Sequence, residues 1–426
     1  MRSTHMRKIF LCIIIISIIL LGIGCDSAFE FLGFENDVPD SNYDENKLGL
    51  PGPVITDVNP KEKVYAGVTE VTVTGENFDP DSGECFIYFG GLPGEIISQA
   101  ENEIVAIPPL VSGDSLEIKI SKLGAYPFGV FSPYPIKLAA IEYAGIDANL
   151  NAGGMACDLN ENLYFAANGE KNIYKINPSN QEKEIYIFAI PDFSYTMKMG
   201  PDTVLYFAVK KYLYTSPAGG GSFEKFNSTK AKAAITDFDF GPSLNIYAAG
   251  KEDIYLFLSD GSYTTTATYE DYLITSLRVF DGYVYISAYY TGTDLSAVKK
   301  GIWRNQINSS DATLGTNELV FDWGQYVGAY GANILTLTLN SDGDIYFSTE
   351  VSGDDALYVL RSNGSGDYTS VIPDPLYFRV LKPQYENLCW GNGIYLYANY
   401  KGSGASDQRI MRITIEEDTA PYYGRK

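Results

Sequence analysis

From Pro51 to the C-terminus, apolar and polar residues alternate at period two, with Gly, Pro, Asn or Asp breaking the pattern about every ten residues. That rhythm predicts short half-buried strands joined by tight turns. In the second half one phrase recurs six times: Asn-Leu-Tyr-Phe at Tyr164, Val-Leu-Tyr-Phe at Tyr206, Asn-Ile-Tyr-Ala at Tyr247, Tyr-Val-Tyr-Ile at Tyr285, Asp-Ile-Tyr-Phe at Tyr346 and Gly-Ile-Tyr-Leu at Tyr395. By subtraction the tyrosines lie 42, 41, 38, 61 and 49 positions apart. A second strand follows each one, as in Asn172–Pro178, Asp253–Gly261 and Arg409–Ile415. Four strands in a period near 40 residues make one blade of a β-propeller.

Blades one to five divide at 153–191, 194–228, 235–269, 274–326 and 334–373. Blade six supplies only three strands before the tail Thr419–Lys426. Ile136–Tyr143, alternating and otherwise unassigned, can provide the missing one and so close the ring without free sheet edges. The fold class is therefore all-β, a small immunoglobulin-like sandwich over 51–139 followed by a six-bladed β-propeller over 140–426.

The sandwich segment carries Pro53-Val54-Ile55 with Asn59-Pro60, Val71-Thr-Val-Thr-Gly-Glu-Asn-Phe78, Ile87-Tyr-Phe-Gly-Gly91 and Ile107-Pro-Pro109. In these phrases it resembles the IPT/TIG family of immunoglobulin-like domains, which implies a spacer or a protein-contact module. The ring resembles six-bladed NHL-like and SMP-30-like propellers through Asp158–Phe165 and Asn340–Phe347. Lactonase-type members of that group hold a metal in a carboxylate and asparagine cluster, and no such cluster can be matched here residue by residue. Asp342-Gly343-Asp344 lacks the spacing and closing Glu of a calcium loop and reads as a hairpin turn. No catalytic residue, cofactor or metal is expected.

At the start, Met6-Arg7-Lys8 precedes an apolar run, Ile9–Ile23, ending in Gly24-Cys25. The run is shorter than a membrane span. Basic residues, a short apolar segment and small residues before a cysteine resemble a bacterial lipoprotein signal peptide over 1–24, which implies a lipid-carrying Cys25 and membrane attachment in the cell envelope. Residues 25–50, with seven carboxylates against Lys47, form an acidic tether.

Cleavage would leave 28 basic against 53 acidic residues, a net charge of −25, which disfavours nucleic acid as a partner. It would also remove His5, the only histidine, and with it any Ser-His-Asp or Cys-His mechanism. A hydrolase of the carbohydrate or lactone class stays open, since glycoside hydrolysis needs only two carboxylates, and so does a purely structural role as an assembly subunit. Cys85, Cys157 and Cys389 remain. Cys157 and Cys389 occupy matching places in the first strands of blades one and six, either as buried thiols or, under stricter geometry, as a disulfide.

In a propeller, the loops between second and third strands and the connections from fourth strand to next blade emerge on one face. On that face the long loops are Thr291–Lys300, Val351–Asp355 and Lys401–Gln408. Beside them lie Trp323, Tyr326, Tyr330, Tyr377 and Tyr385, with Phe378 in the same stretch and Tyr289, Tyr290, Trp390 and Tyr400 as further candidates. Tyr and Trp join a flat apolar body to a polar tip, which suits a protein or glycan partner on the half-face of blades four to six.

Overall fold

The computed structural model describes residues 49–81, 83–350, 357–364, 367–368, 374–382, 384–401 and 407–425. The leader, Cys25 and the tether lie outside these residues, as do 351–355 and most of the loop at 401–408. The described chain forms two compact units: one runs to Asn59 and includes Thr72–Ala106 and Glu117–Ser132, and the other comprises Pro60–Val71, Ile107–Leu116 and everything from Pro133.

The sandwich has two sheets. One orders its strands Val54–Asn59, Val71–Glu76, Glu103–Ile107, Glu95–Ala100, and the other Tyr65–Ala66, Gly129–Leu138, Gly113–Lys122, Cys85–Phe89, Leu92–Pro93. Alternation places Val71, Val73, Ile87, Phe89, Ile104, Ile118 and Ile120 in the core, each at most 1% exposed. Gly90 and Gly91 both adopt positive φ in the two-residue turn that pairs Phe89 with Leu92, the conformation a tight hairpin needs.

The ring has six four-stranded blades. From the centre outward, the first three are Ala152–Cys157, Leu163–Ala167, Asn172–Ile176, Lys183–Ile187; then Met197–Met199, Leu205–Val209, Tyr212–Ser216, Glu224–Lys225; then Asp237–Phe240, Ile246–Gly250, Asp253–Phe257, Tyr263–Thr268. The next three are Tyr272–Phe280, Tyr283–Tyr290, Lys300–Gln306, Glu318–Phe321; then Ile334–Leu339, Ile345–Thr349, Leu357–Leu360, Asp374–Pro375; then Tyr385–Trp390, Tyr395–Tyr400, Arg409–Thr414, Ala140–Glu142. The outer strand of blade six thus comes from the N-terminal side of the ring, Ala140 facing Ile413 and Glu142 facing Met411. Of Ile136–Tyr143, the residues up to Leu138 belong to the sandwich strand Gly129–Leu138 instead.

Six apolar clusters fill the gaps between neighbouring blades. The repeat tyrosines Tyr164, Tyr247, Tyr285 and Tyr346 are buried in them, and burying a large side chain contributes about 1.5–3 kcal/mol. Strand register corrects the sixth member. Tyr397, opposite Cys389, takes the place that Tyr346 takes opposite Thr338, while Tyr395 lies one period-two step away. The turns before the repeat strands are built by side chains: Asp158 Oδ1 accepts the N–H groups of Asn160 and Asn162, each at 2.9 Å, and Asn340 Oδ1 accepts those of Asp342 and Asp344 at 3.1 and 2.8 Å. Asp344 is ion-paired to Arg361 at 2.8 Å, so Asp342-Gly343-Asp344 is a turn.

Candidate functional site

The innermost strands run side by side around the axis. Register aligns one residue from each, opposite the repeat tyrosines: Ala156, Lys198, Asp239, Arg278, Thr338 and Cys389. All six line a cavity on the propeller axis. One period-two step closer to the other face stand Thr196, Asp237, Ser276, Thr336 and Asn387.

Asp237 holds these layers together. Its Oδ1 accepts from Thr196 Oγ1 at 2.7 Å and Phe238 N at 2.9 Å; its Oδ2 accepts from Ser276 Oγ at 2.8 Å, Leu277 N at 3.0 Å and Arg278 Nη1 at 2.5 Å. Lys198 Nζ lies 3.6 Å from Oδ1. Burial by itself would raise the Asp237 pKa, but Arg278, Lys198 and the hydrogen bonds outweigh it and hold the carboxyl well below the usual carboxylate range. Asp239 accepts only Phe240 N and Val279 N, each at 2.9 Å, and there burial wins over the two cations and pushes its carboxyl up. Burial, reinforced by Arg278, lowers the Lys198 ammonium.

A carboxylate whose two oxygens accept five hydrogen bonds is not available as a base or nucleophile. A pair of cations beside the carboxylates does not fit a divalent metal, and among the described residues no group of three His, Cys, Asp or Glu side chains is placed to hold one. Cys157 and Cys389 are buried free thiols in one cluster, with no bridge between them.

The chain's last residues close one end. Ala420 N donates to Leu339 O at the end of the blade-five inner strand, and Thr419 bridges Asn340. Tyr422, Gly424 and Arg425 then pack into the mouth. Gly424 lies so close to Met199 O that an added Cβ would stand 2.5 Å away, and Arg425 donates through Nη1 to Gly391 O at 2.6 Å and through Nη2 to Trp390 O.

The aromatic candidates separate into three groups. Trp323 opens the short helix Trp323–Val327, capped by Asp322, and is fully buried: its Nε1 donates to Ala332 O at 2.8 Å, and its ring meets Tyr326, Tyr358 and Phe347 at 4.9, 5.1 and 5.4 Å. It is a packing residue between blades four and five, not a ligand anchor. Tyr385 is buried against Tyr400 at the ligand-face end of its strand, and Trp390 is buried at the far end, on the face the tail closes, so neither presents a ring to a ligand. Tyr289, Tyr290, Tyr377 and Tyr400 are half-buried; Tyr377 donates to Thr414 O, and Lys299 covers the ring of Tyr290. Only Tyr326 and Tyr330 present open rings, with Tyr330 fully exposed.

Sequence reasoning overlooked other open rings on that face. These are Phe188, Phe193 and Tyr195, exposed on the connection from blade one to blade two; Phe378, which the stretch beside Tyr377 already offered, is exposed on that from blade five to six. Loop length gave no hint of the first three, because that connection is short.

Residues 53–133 match the model of the IPT/TIG domain. This segment is an IPT/TIG domain. A comparison with curated proteins finds no match. Among solved structures, the luciferin-regenerating enzyme shares 13% identity, covering 67% of this chain and 99% of its own, with a TM-score of 0.51. A protein of Bacteroides thetaiotaomicron VPI-5482 shares 13% identity over 85% of this chain and 97% of its own, with a TM-score of 0.50. An auxiliary nutrient binding protein of the same organism gives 13%, 86%, 98% and 0.48. At these identities the likeness concerns the fold alone.

Proposed function

We propose that the chain is a cell-envelope binding protein, attached to a membrane by lipid on Cys25, whose propeller face engages a protein or glycan partner while the IPT/TIG domain over 51–139 serves as spacer. One observation carries the reading: Tyr326, Tyr330 and Phe378 on one side, and Phe193 and Tyr195 on the other, leave aromatic surface open on connections that topology assigns to a single face. Exposed flat rings with polar edges stack on sugars and anchor protein contacts alike. The saturated Asp237 carboxylate disfavours a hydrolase in the channel. No helix among the described residues is long and apolar enough to cross a membrane, and the lipid supplies attachment in this reading.

A glycan array and a pull-down from envelope extracts supply the partner. Alanine at Tyr330 or Tyr195 should then weaken that partner by about thirtyfold, the equivalent of about 2 kcal/mol for an anchor ring, with unchanged melting temperature. Full binding by both variants would place the partner elsewhere. Cys25→Ala should release the protein from membranes, and its retention in the detergent phase would refute the anchor.

A further inference from the structure

We propose that the cavity at the tail-closed end of the channel holds one small monovalent inorganic anion of chloride size. The cavity measures about 50 Å³, several times the ~10–15 Å³ that one water requires. Its charged lining is three cations, Lys198, Arg278 and Arg425, against one carboxylate, Asp239. Asp237, just behind, adds a second negative charge and spends it on Arg278 and Lys198. Glu161, outside the lining, accepts from Asn392 N and Tyr397 Oη. The wall is left with one positive charge in excess.

The donors are short of acceptors as well. Lys198, only 8% exposed, stands 3.6 Å from Asp237 Oδ1, beyond hydrogen-bond length. The Tyr422 hydroxyl and Arg425 Nε, also at this cavity, are buried with no partner. A buried hydroxyl and a buried guanidinium N–H left without a partner are costly, and an acceptor that carries negative charge satisfies both at once. A divalent cation is excluded by the same lining, and a large organic anion by its volume. The cavity is lined by other residues than the ligand face, so an anion-free cavity would leave that reading untouched.

The test compares the full chain in sodium chloride, bromide and gluconate at equal ionic strength. The melting temperature should rise with the logarithm of chloride or bromide concentration, as for any ligand bound only by the folded state, and stay flat in gluconate. Crystals grown with bromide should show one anomalous peak among Lys198, Tyr422 and Arg425. Lys198→Met should raise the chloride midpoint roughly tenfold or more, and Tyr422→Phe, which removes one hydroxyl and leaves the packing, should raise it in the same direction. Identical melts in all three salts with no bromide peak would mean that water alone fills the cavity and would overturn the proposal. So would a chloride response that both variants leave unchanged, since the anion would then sit elsewhere.

Discussion

Replacing Asp237 by alanine strikes the centre of the ring, and the structure allows its cost to be estimated. Arg278, 7% exposed, would lose its counter-ion, and breaking a buried pair by removing one partner costs about 3–5 kcal/mol. The hydroxyls of Thr196 and Ser276 can turn to other acceptors, but Leu277 N–H is fixed in its strand, and an unsatisfied buried donor adds about 1–3 kcal/mol. The loss is therefore at least about 4 kcal/mol, which for a domain of this size lowers the melting temperature by roughly 8–16 °C. Calorimetry at pH 7 would measure it. The double variant Asp237→Ala, Arg278→Met removes both charges and should recover part of the loss.

The acid limb offers a second reading of the same variant. Because the folded pKa of Asp237 lies below its unfolded value of about 3.9, its contribution is present above that value and is lost as pH falls toward the folded one. Wild type should accordingly lose about 1.4 kcal/mol per pH unit more than Asp237→Ala below about pH 4. Asp239, shifted upward, has the opposite sign in both proteins. A variant that melts within about 2 °C of wild type, or a double variant no better than the sum of the singles, would refute the account.

Trp323→Ala should cost about 3–5 kcal/mol, as a core tryptophan does, and a thermal melt unchanged by it would return Trp323 to the ligand side. Ile141→Pro removes an N–H from the outer strand of blade six, opposite Arg412, and should destabilise the ring by about 1–3 kcal/mol where Ile141→Val does not; equal melts would show that closure does not depend on this strand. Burial raises the thiols of Cys85, Cys157 and Cys389, so at pH 8 all three should resist DTNB in the folded protein and react in urea. Rapid labelling of the native chain would contradict their burial.

The blades were legible because a tyrosine packed between neighbouring sheets recurs with each repeat, and period-two alternation fixes which residues turn inward. The blade-six slip from Tyr397 to Tyr395 has a physical origin: a Tyr-x-Tyr doublet keeps the same face at either register, so pattern alone cannot choose. Trp323 was misjudged because its connection folds back as a helical turn onto Phe347 and Tyr358, a tertiary event without local signature. The axial charges did leave a trace. Lys198, Asp239 and Arg278 interrupt apolar triplets at intervals of 41 and 39 positions, close to the blade period, and charges embedded at the repeat in inner strands are what a polar channel requires.

The pairing of Ala140–Glu142 with Arg409–Thr414 also sets an order of events. The outer strand of the last blade leaves the ribosome before any other part of the ring, and its partner is among the last segments made. Until then the growing arc carries an unpaired edge at each end, open to other chains. Such long-range closure is slow, since the loop entropy of the whole ring must be met before any contact returns it. A cell making this chain therefore has reason to keep it extended or chaperoned until synthesis is complete, and any truncation that spares blades one to five would release an open arc prone to aggregation.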